Sequence, residues 1–215
     1  MAEAARGTLL RATRRGWQFT ADPLALQAAH VAFVREHLLR LPQLFDAALL
    51  GVIRRRLVPE AFRTRVATGV YPPATDLKLA DDVTHGLLHF LLNDPAVVAA
   101  IRTISGRPEA GGFVGAVYRL LPGAGHRDSW HDDCDGNRLV GLTVNLGEQP
   151  FAGGELELRQ KGATAPLAVV ANTGPGDGVL FAVDLALEHR VAPITGSVPK
   201  TALAGWFCRD PDARF

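Results

Sequence analysis

The sequence predicts an α+β protein with a helical first half and a second half built as a β-sandwich or jelly roll. Apolar residues recur at helical spacing from about Pro23 to Gly106. After Gly111-Gly112 the pattern changes to short β-like runs, and no helix-length crossover separates them, which argues against a parallel sheet. We expect one domain over residues 1–215, with a mainly helical part at 1–111 and a jelly-roll core at 112–215.

Three stretches of the first half have the features of helices. In the stretch that follows Pro23, apolar residues recur three or four positions apart. Asp76 to Asn93 is a second amphipathic stretch, with its leucines mostly on one side. Asp94-Pro95 then has the composition of a helix cap and first helical position, and we expect that helix to end at Gly106.

The second half contains seven short runs typical of β-strands. They are bounded by clusters of Gly, Pro, Asn and Asp, such as PGAG, FAGG and NTGPGDG, which favour turns. We expect strands at Val114 to Leu121, Leu139 to Leu146, Glu155 to Arg159, Leu167 to Ala171, Val179 to Val183, His189 to Ile194 and Ala202 to Cys208.

Composition and charge disfavour several classes of partner. Lys and Arg number 23 against 22 Asp and Glu, so the chain lacks the positive excess that attracts a phosphate backbone. Apolar runs such as Ala47 to Ile53 are far too short for a bilayer of about 30 Å. Cys134 and Cys208 are too few to staple the chain, and the first residues lack the pattern of a secretory signal. We therefore expect a cytoplasmic protein with no nucleic-acid or membrane partner.

The segment Trp130-His131-Asp132-Asp133 is a candidate metal site. In an extended backbone, side chains two residues apart point to the same side, so His131 and Asp133 would converge on one ion while Asp132 faces away. His189, at the start of a later strand, is the best candidate for a third ligand. Two imidazoles and one carboxylate suit Fe(II), with open positions for a bidentate co-substrate and O2, but the spacing alone leaves zinc, manganese and nickel open.

Lys200 indicates that the metal site also binds an anion. It begins the last expected strand, KTALAGWF, whose alternate residues face the interior, and an inward lysine needs an anionic partner. A dicarboxylate co-substrate would supply that partner. The structural alternative is a solvated lysine that protects a strand edge from aggregation.

Four stretches in order resemble the Fe(II)/2-oxoglutarate-dependent oxygenase superfamily, of the bacterial kind related to prolyl hydroxylases: YRLLPGAGHRDSWHDD, LTVNLGEQPFAGGELEL, GDGVLFAVDLALEHRVAPITG and KTALAGWF. The resemblance implies a double-stranded β-helix (jelly-roll) core with supporting N-terminal helices. It implies that His131, Asp133 and His189 hold Fe(II). Lys200 would then pair with the distal carboxylate of 2-oxoglutarate, and Tyr118 would hydrogen-bond the same co-substrate.

The resemblance also implies a reaction, in which O2 and 2-oxoglutarate hydroxylate a C–H bond of a small molecule or peptidyl side chain and release succinate and CO2. Halogenases of the superfamily have a small residue at the carboxylate position, whereas Asp133 is present here, which favours hydroxylation. Many relatives have arginine at the position of Lys200 and serine or threonine two residues later, where this chain has Ala202. Arginine makes a bidentate pair and lysine a point charge, so we expect either a lower affinity for the co-substrate or an affinity that depends on assistance from Thr201 or Tyr118.

Two other functions stay open at this point. A non-catalytic jelly-roll binding domain is favoured only by the departures at Lys200 and Ala202. A cupin-like metalloenzyme without 2-oxoglutarate would need a further metal-binding cluster in place of the remote cation. Several other residues have two possible roles or none in the site. Trp130 and His126 would line the substrate pocket or pack in loops, and Asn145 would orient a ligand or bind backbone. Arg138 and Arg190 could bind an anionic substrate, but arginines on a strand more commonly lie on the solvent face. We expect Trp206 in the core, Cys134 to be inert, and His85 and His89, on the helices, to be structural or surface residues.

Overall fold

The structure is a computed structural model that describes residues 9–20, 22–67, 74–126, 128–134, 137–171 and 173–210. Within these residues there are four α-helices and twelve β-strands. The helices are α1 (Pro23–Glu36), α2 (Ala47–Arg54), α3 (Asp82–Leu92) and α4 (Pro95–Ser105). The strands are β1 (Leu10–Thr13), β2 (Gly16–Phe19), β3 (Leu38–Leu41), β4 (Phe62–Ala67), β5 (Ala74–Leu79), β6 (Gly112–Leu120), β7 (Arg138–Asn145), β8 (Leu156–Gln160), β9 (Ala168–Val170), β10 (Gly178–Ala182), β11 (Leu187–Val191) and β12 (Lys200–Cys208).

The strands form three antiparallel sheets. The large sheet has seven strands in the order β3-β10-β7-β12-β6-β5-β4, and the small sheet has three in the order β11-β8-β9. β1 and β2 form a separate pair. β12 occupies the centre of the large sheet and is hydrogen-bonded to β6 on one side and β7 on the other.

The large sheet has a different layer on each face. On one face, helices and sheet share a core in which Ile53, Ile101 and Phe207 are fully or almost fully buried. On the other face, side chains of β10 such as Phe181 pack against Leu156 and other residues of the small sheet. The two sheets thus face each other as in a jelly roll, with the helices outside, as the sequence predicts.

The seven strands predicted for the second half are β6 to β12, each within three residues of its expected bounds. The helix predicted after Asp94 is α4. The Asp94 side chain accepts a hydrogen bond from Ala96 N at 2.8 Å, Pro95 occupies the first turn, and Gly106 ends the helix in a left-handed conformation with φ of 67°. These local signals are confirmed because they act within a few residues of the chain.

The first half contains more β-structure than the sequence predicts. Asp76 to Asn93 is not one helix, because its first residues form β5, and Asp81 then caps α3 by accepting a hydrogen bond from Thr84 N. β5 pairs with β4 and, through Leu77 and Lys78, with β6. Pairing with distant strands therefore overrides the local helical pattern.

No single helix in the described part of the chain is long and apolar enough to cross a membrane. α3 and α4 reach that length and composition only when taken together as a pair bent by 62°.

Candidate metal centre

The three side chains predicted as metal ligands lie together between the two sheets. One potential ligand atom from each of His131, Asp133 and His189 lies within 4.8 Å of the other two. His189 Nε2 is 3.1 Å from Asp133 Oδ2, and His131 Nε2 is 3.6 Å from Asp133 Oδ1. In the described ranges this is the one cluster of three or more potential ligands with such spacing. The three groups can therefore face a single ion.

Backbone hydrogen bonds hold the two histidines side by side. His131 N donates to His189 O at 3.1 Å, and His189 N donates to His131 O at 2.8 Å. The two imidazole centroids are 4.3 Å apart. Because His189 lies on β11, which pairs with β8, this bridge attaches the motif segment to the small sheet. The main chain of the protein itself thus sets the spacing of the two rings.

Asp133 reaches the site along a different backbone path from the predicted one. The prediction assumed an extended chain, but Asp133 has a left-handed backbone with φ of 57°, a conformation for which Asp is one of the better-suited residues. This turn, and not strand alternation, brings the carboxylate to the histidines. The adjacent Asp132 binds Lys161 Nζ at 2.5 Å. The reason given for the convergence was therefore wrong, although the side chains do converge.

Both carboxylate oxygens of Asp133 accept hydrogen bonds from residues that were not predicted at the site. Trp206 Nε1 donates to Oδ2 at 2.6 Å, and Arg138 Nη1 donates to Oδ1 at 2.7 Å. The Arg138 guanidinium also lies 3.9 Å from the centroid of a Trp206 ring. Trp206 was expected in the core and Arg138 on the solvent face. The position of Trp206 could have been predicted from strand alternation. Trp206 lies six residues after Lys200 on β12, so the two side chains lie on the same face of the strand.

The electrostatics of the triad favour an ionised carboxylate. Burial disfavours the charge of Asp133, but hydrogen bonds and charges from His131 and His189 outweigh it and hold its pKa far below the usual range. Burial also lowers the pKa of His131, but the hydrogen bond to Asp133 and the charge of Asp128 prevail and raise that pKa to about 9. Protons and a metal ion would therefore compete for the His131 imidazole.

The donor set fits Fe(II). Two imidazole nitrogens and one carboxylate can bind a non-haem iron and leave positions free for a co-substrate and O2. His131 Nδ1 is 2.6 Å from Ser129 O, so it can donate to this carbonyl and leave Nε2 for the metal, an arrangement typical of metal-bound histidine. The triad borders a cavity of about 530 Å³, which is large enough for small organic molecules.

Lys200 lies on the wall of the same cavity. Its Nζ donates to Gly154 O at 2.7 Å and lies 5.7 Å from the centroid of the Phe151 ring. Burial lowers the pKa of the ammonium to about 8, against the opposing charge of Glu155. Gly154 has φ of 66°, and a Cβ at this position would stand 3.1 Å from Lys200 Cδ and only 2.5 Å from Ile194 Cδ1. Glycine is thus needed at position 154 both for the left-handed backbone conformation and because a side chain would collide with Ile194.

Tyr118 lies beside Lys200 on the neighbouring strand. It stands opposite Ala202 in the β6–β12 register and also borders the cavity. Burial raises the pKa of its hydroxyl, which is therefore neutral and can donate a hydrogen bond. Thr201 lies on the opposite face of β12, where its hydroxyl accepts a hydrogen bond from Arg119 at 2.9 Å. Of the two residues expected to assist Lys200, Tyr118 is the one in the cavity.

The flanking residues weighed from the sequence have structural contacts. His126 accepts a hydrogen bond from Leu121 N, Asn145 binds the backbone of two loop residues, and the Trp130 ring packs against two arginines. As far as the described residues define the cavity around the histidines, these three side chains are not part of its wall. Cys134, which was expected to be inert, has its pKa raised by burial and therefore carries a thiol.

Comparison with known proteins agrees with this arrangement. Residues 115–208 match the family described as the 2OG-Fe(II) oxygenase superfamily. That range contains the His131-Asp133-His189 triad, Tyr118 and Lys200. No curated protein matches the sequence.

Several solved structures share the fold. An oxidoreductase of the 2OG-Fe(II) oxygenase family from Burkholderia pseudomallei is 16% identical, with a TM-score of 0.68 over 93% of this chain and 96% of the other. A Pseudomonas putida prolyl-4-hydroxylase is 19% identical, with a TM-score of 0.62 over 86% of this chain and 99% of the other. The non-heme alpha ketoglutarate-dependent epimerase SnoN from nogalamycin biosynthesis is 16% identical, with a TM-score of 0.58 over 86% and 83%.

At these identities the structures demonstrate a common fold, and the family match adds the sequence signature of the jelly-roll half. The predicted α+β jelly roll is confirmed. Together, the match over residues 115–208 and the shared fold confirm the resemblance of this chain to the Fe(II)/2-oxoglutarate-dependent oxygenase superfamily.

Proposed function

We propose that this protein is a Fe(II)- and 2-oxoglutarate-dependent dioxygenase that hydroxylates a C–H bond of a small molecule or peptidyl side chain and releases succinate and CO2. One observation carries the proposal. The His131-Asp133-His189 triad and Lys200 line a single cavity of about 530 Å³. The single domain over residues 1–215 and the cytoplasmic location stay predictions.

Each residue has a distinct task in this proposal. His131, Asp133 and His189 would hold the iron, and the bound iron and 2-oxoglutarate would together supply the oxidising chemistry. The apolar walls of the cavity would exclude bulk water and orient the substrate. These walls include Leu120, Leu142, Leu156, Phe181 and Val191.

Lys200 is suited to bind the distal carboxylate of 2-oxoglutarate. An ammonium has three donors, and Gly154 O accepts one of them, so two are left for a carboxylate. A dianionic co-substrate would also offset the cost of placing this charge in an apolar wall. Tyr118, on the same wall, supplies a neutral hydroxyl that can donate to the same group.

The first test is spectroscopic and chemical. Anaerobic addition of Fe(II) and 2-oxoglutarate should give the weak visible charge-transfer band of the chelate, and admission of air should produce succinate. Absence of both the band and succinate would rule out the proposed function.

The second test separates the co-substrate role of Lys200 from metal binding. Lys200→Ala should raise the concentration of 2-oxoglutarate needed for half-saturation at least tenfold while changing iron affinity less than twofold, because Lys200 is outside the triad. Lys161→Ala is the matched control. It also removes one lysine charge, but Lys161 pairs with Asp132 and does not line the cavity formed by the described residues, so the control should leave the affinity for 2-oxoglutarate unchanged. Equal effects of Lys200→Ala on both affinities would contradict the role assigned to this residue.

Product analysis distinguishes the competing reactions. Hydroxylation adds one oxygen atom to the substrate, whereas an epimerisation, the activity named for SnoN, leaves its mass unchanged. A non-catalytic binding domain would bind the metal without producing succinate. A cupin-like metalloenzyme would turn over without any requirement for 2-oxoglutarate.

A further inference from the structure

Asp128 brings a negative charge into the cavity that the proposed reaction does not use. It lies three residues before His131, and its Oδ2 is 3.6 Å from His131 Nε2. Its side chain is 35% exposed and lines the cavity. Asp128 is not part of the cluster of mutually close ligand atoms formed by the triad. It thus stands beside the metal centre without belonging to it.

The position of Asp128 is set by the strand that carries His189. Asp128 N donates to Val191 O at 3.1 Å, at the end of β11. Val191 also lines the cavity, two residues after His189. The carboxylate therefore has a defined place relative to the triad.

The cations near Asp128 are committed to other groups. In the described part of the chain, His131 is the one basic side chain with an N···O distance to Asp128 of 4 Å or less. Arg65, across the cavity, donates Nε to Asp76 Oδ1 at 3.0 Å and Nη2 to Asp76 Oδ2, and its guanidinium lies 4.6 Å from the Tyr118 ring centroid. An imidazole that binds a metal through Nε2 is itself neutral.

The loaded site would leave the charge of Asp128 without a full counter-charge among the described residues. The formal charges of Fe(II), Asp133 and the carboxylate end of 2-oxoglutarate that binds the metal cancel. The other carboxylate of 2-oxoglutarate is assigned to Lys200. A cationic group on the third component of the reaction, the substrate, would supply that counter-charge.

We propose that Asp128 binds a cationic nitrogen of the substrate, an ammonium or guanidinium group, and so selects the substrate class. This inference rests on the proposed function. Charge-assisted hydrogen bonds are strong, and a partly buried carboxylate is screened less by salt than a surface one. The apolar walls at Leu120, Leu142 and Val191 suit the carbon chain. Because Asp128 adjoins His131, the oxidised carbon is a near neighbour of the cationic nitrogen in the substrate.

The test uses small probes of similar size and different charge on protein loaded anaerobically with Fe(II) and 2-oxoglutarate. The probes are n-butylammonium, n-butylguanidinium, 1-butanol and butyrate, and binding is followed by the change that they cause in the visible band of the chelate. Both cations should bind about tenfold more tightly than 1-butanol, which corresponds to one charge-assisted hydrogen bond. Butyrate should bind most weakly.

Two variants assign the preference to Asp128. Asp128→Asn keeps the size of the side chain and should reduce the preference for cations to less than threefold. Asp132→Asn is the matched control, because it also removes one negative charge beside the triad but one that Lys161 neutralises. It should retain the full preference. Asp128→Lys should reverse the order, so that butyrate binds more tightly than n-butylammonium.

Three results would overturn the inference. They are equal binding of cations and 1-butanol to the wild type, a cation preference that survives Asp128→Asn, and an unchanged order of probes in Asp128→Lys. A wild type that forms no chelate would overturn the proposed function and this inference together. A normal chelate without preference for cations would overturn the inference alone.

Discussion

Trp206→Phe is expected to weaken metal binding while leaving the protein folded. The indole Nε1 donates a hydrogen bond of 2.6 Å to Asp133 Oδ2, and the indole lies against the Arg138 guanidinium, with 3.9 Å from Cζ to the ring centroid. Phenylalanine keeps an aromatic ring for the guanidinium and removes the donor. The substitution therefore tests one hydrogen bond to one metal ligand.

The magnitude follows from the burial of Asp133. Its side chain is only 7% exposed, so water cannot easily replace the missing donor. Hydrogen bonds to charged groups contribute about 1.5–3 kcal/mol, and every 1.4 kcal/mol or so is a factor of about ten in affinity. We expect metal affinity to fall about 10- to 100-fold, the range typical for loss of a group that orients a metal ligand. The free energy of unfolding should fall by less than about 3 kcal/mol.

The assay is competition for Co(II) between the protein and a chelator of known affinity, followed by the visible absorption of bound Co(II). Trp130→Phe is the matched control, because the Trp130 ring packs against Arg159 and Arg190 and does not line the cavity formed by the described residues. The control should bind Co(II) within twofold of the wild type. Unchanged affinity in Trp206→Phe, or an equal loss in both variants, would refute the positioning role of Trp206.

Three further predictions concern pH, packing and the core. Affinity for 2-oxoglutarate should fall as pH rises above about 8, because the pKa of Lys200 is about 8 and only its protonated form, which predominates below that pH, pairs with the dianion. Equilibrium dialysis should show about a tenfold loss of affinity for each further pH unit. An affinity that does not change with pH would contradict the pairing. Gly141→Ala should lower the free energy of unfolding by about 1–3 kcal/mol, because the new Cβ would stand 2.1 Å from the Phe181 ring. It should also weaken metal binding, because the centroid of that ring lies 4.6 Å from the centroid of the His189 ring. Thermal denaturation and metal titration measure the two effects, and wild-type values in both would be inconsistent with this packing. Phe207→Ala should lower the free energy of unfolding by about 3–5 kcal/mol in urea denaturation, because Phe207 is fully buried on the helical side of β12. The folded variant should keep its metal affinity. A large loss of metal affinity would contradict this prediction and would show that the two faces of the large sheet are coupled.

The sequence predicts the second half of the fold better than the first. β6 to β12 are short β-like runs bounded by strong turn signals, so their local patterns agree with their final pairing. β3 has no such pattern. It is the sequence LLRL, and it becomes a strand by pairing with β10, about 140 residues further along the chain. Such a pairing depends on tertiary contact, which a local pattern does not contain.

The site shows a similar division. The motif and the ordered family stretches were enough to predict which three side chains are candidate ligands and that Lys200 lies near them. The left-handed turn at Asp133 could not, because Asp is only permissive of that conformation. The position of Trp206 could have been predicted, because it is an even number of residues from Lys200 on β12 and therefore lies on the same face of the strand. Arg65 could not, because it reaches the cavity from β4, a strand that the sequence does not predict.

β12 links the two chemical ends of the site through a single length of backbone. Lys200 begins the strand and Trp206 lies six residues later, about 20 Å along it. The pairing with β7 is regular from Ala202 to Phe207 and becomes irregular only beyond that residue. One inserted or deleted residue between Lys200 and Trp206 would turn one of these side chains to the helical layer. A single-residue insertion or deletion in this part of β12 would therefore separate the cation that faces the co-substrate from the indole that holds the metal ligand Asp133.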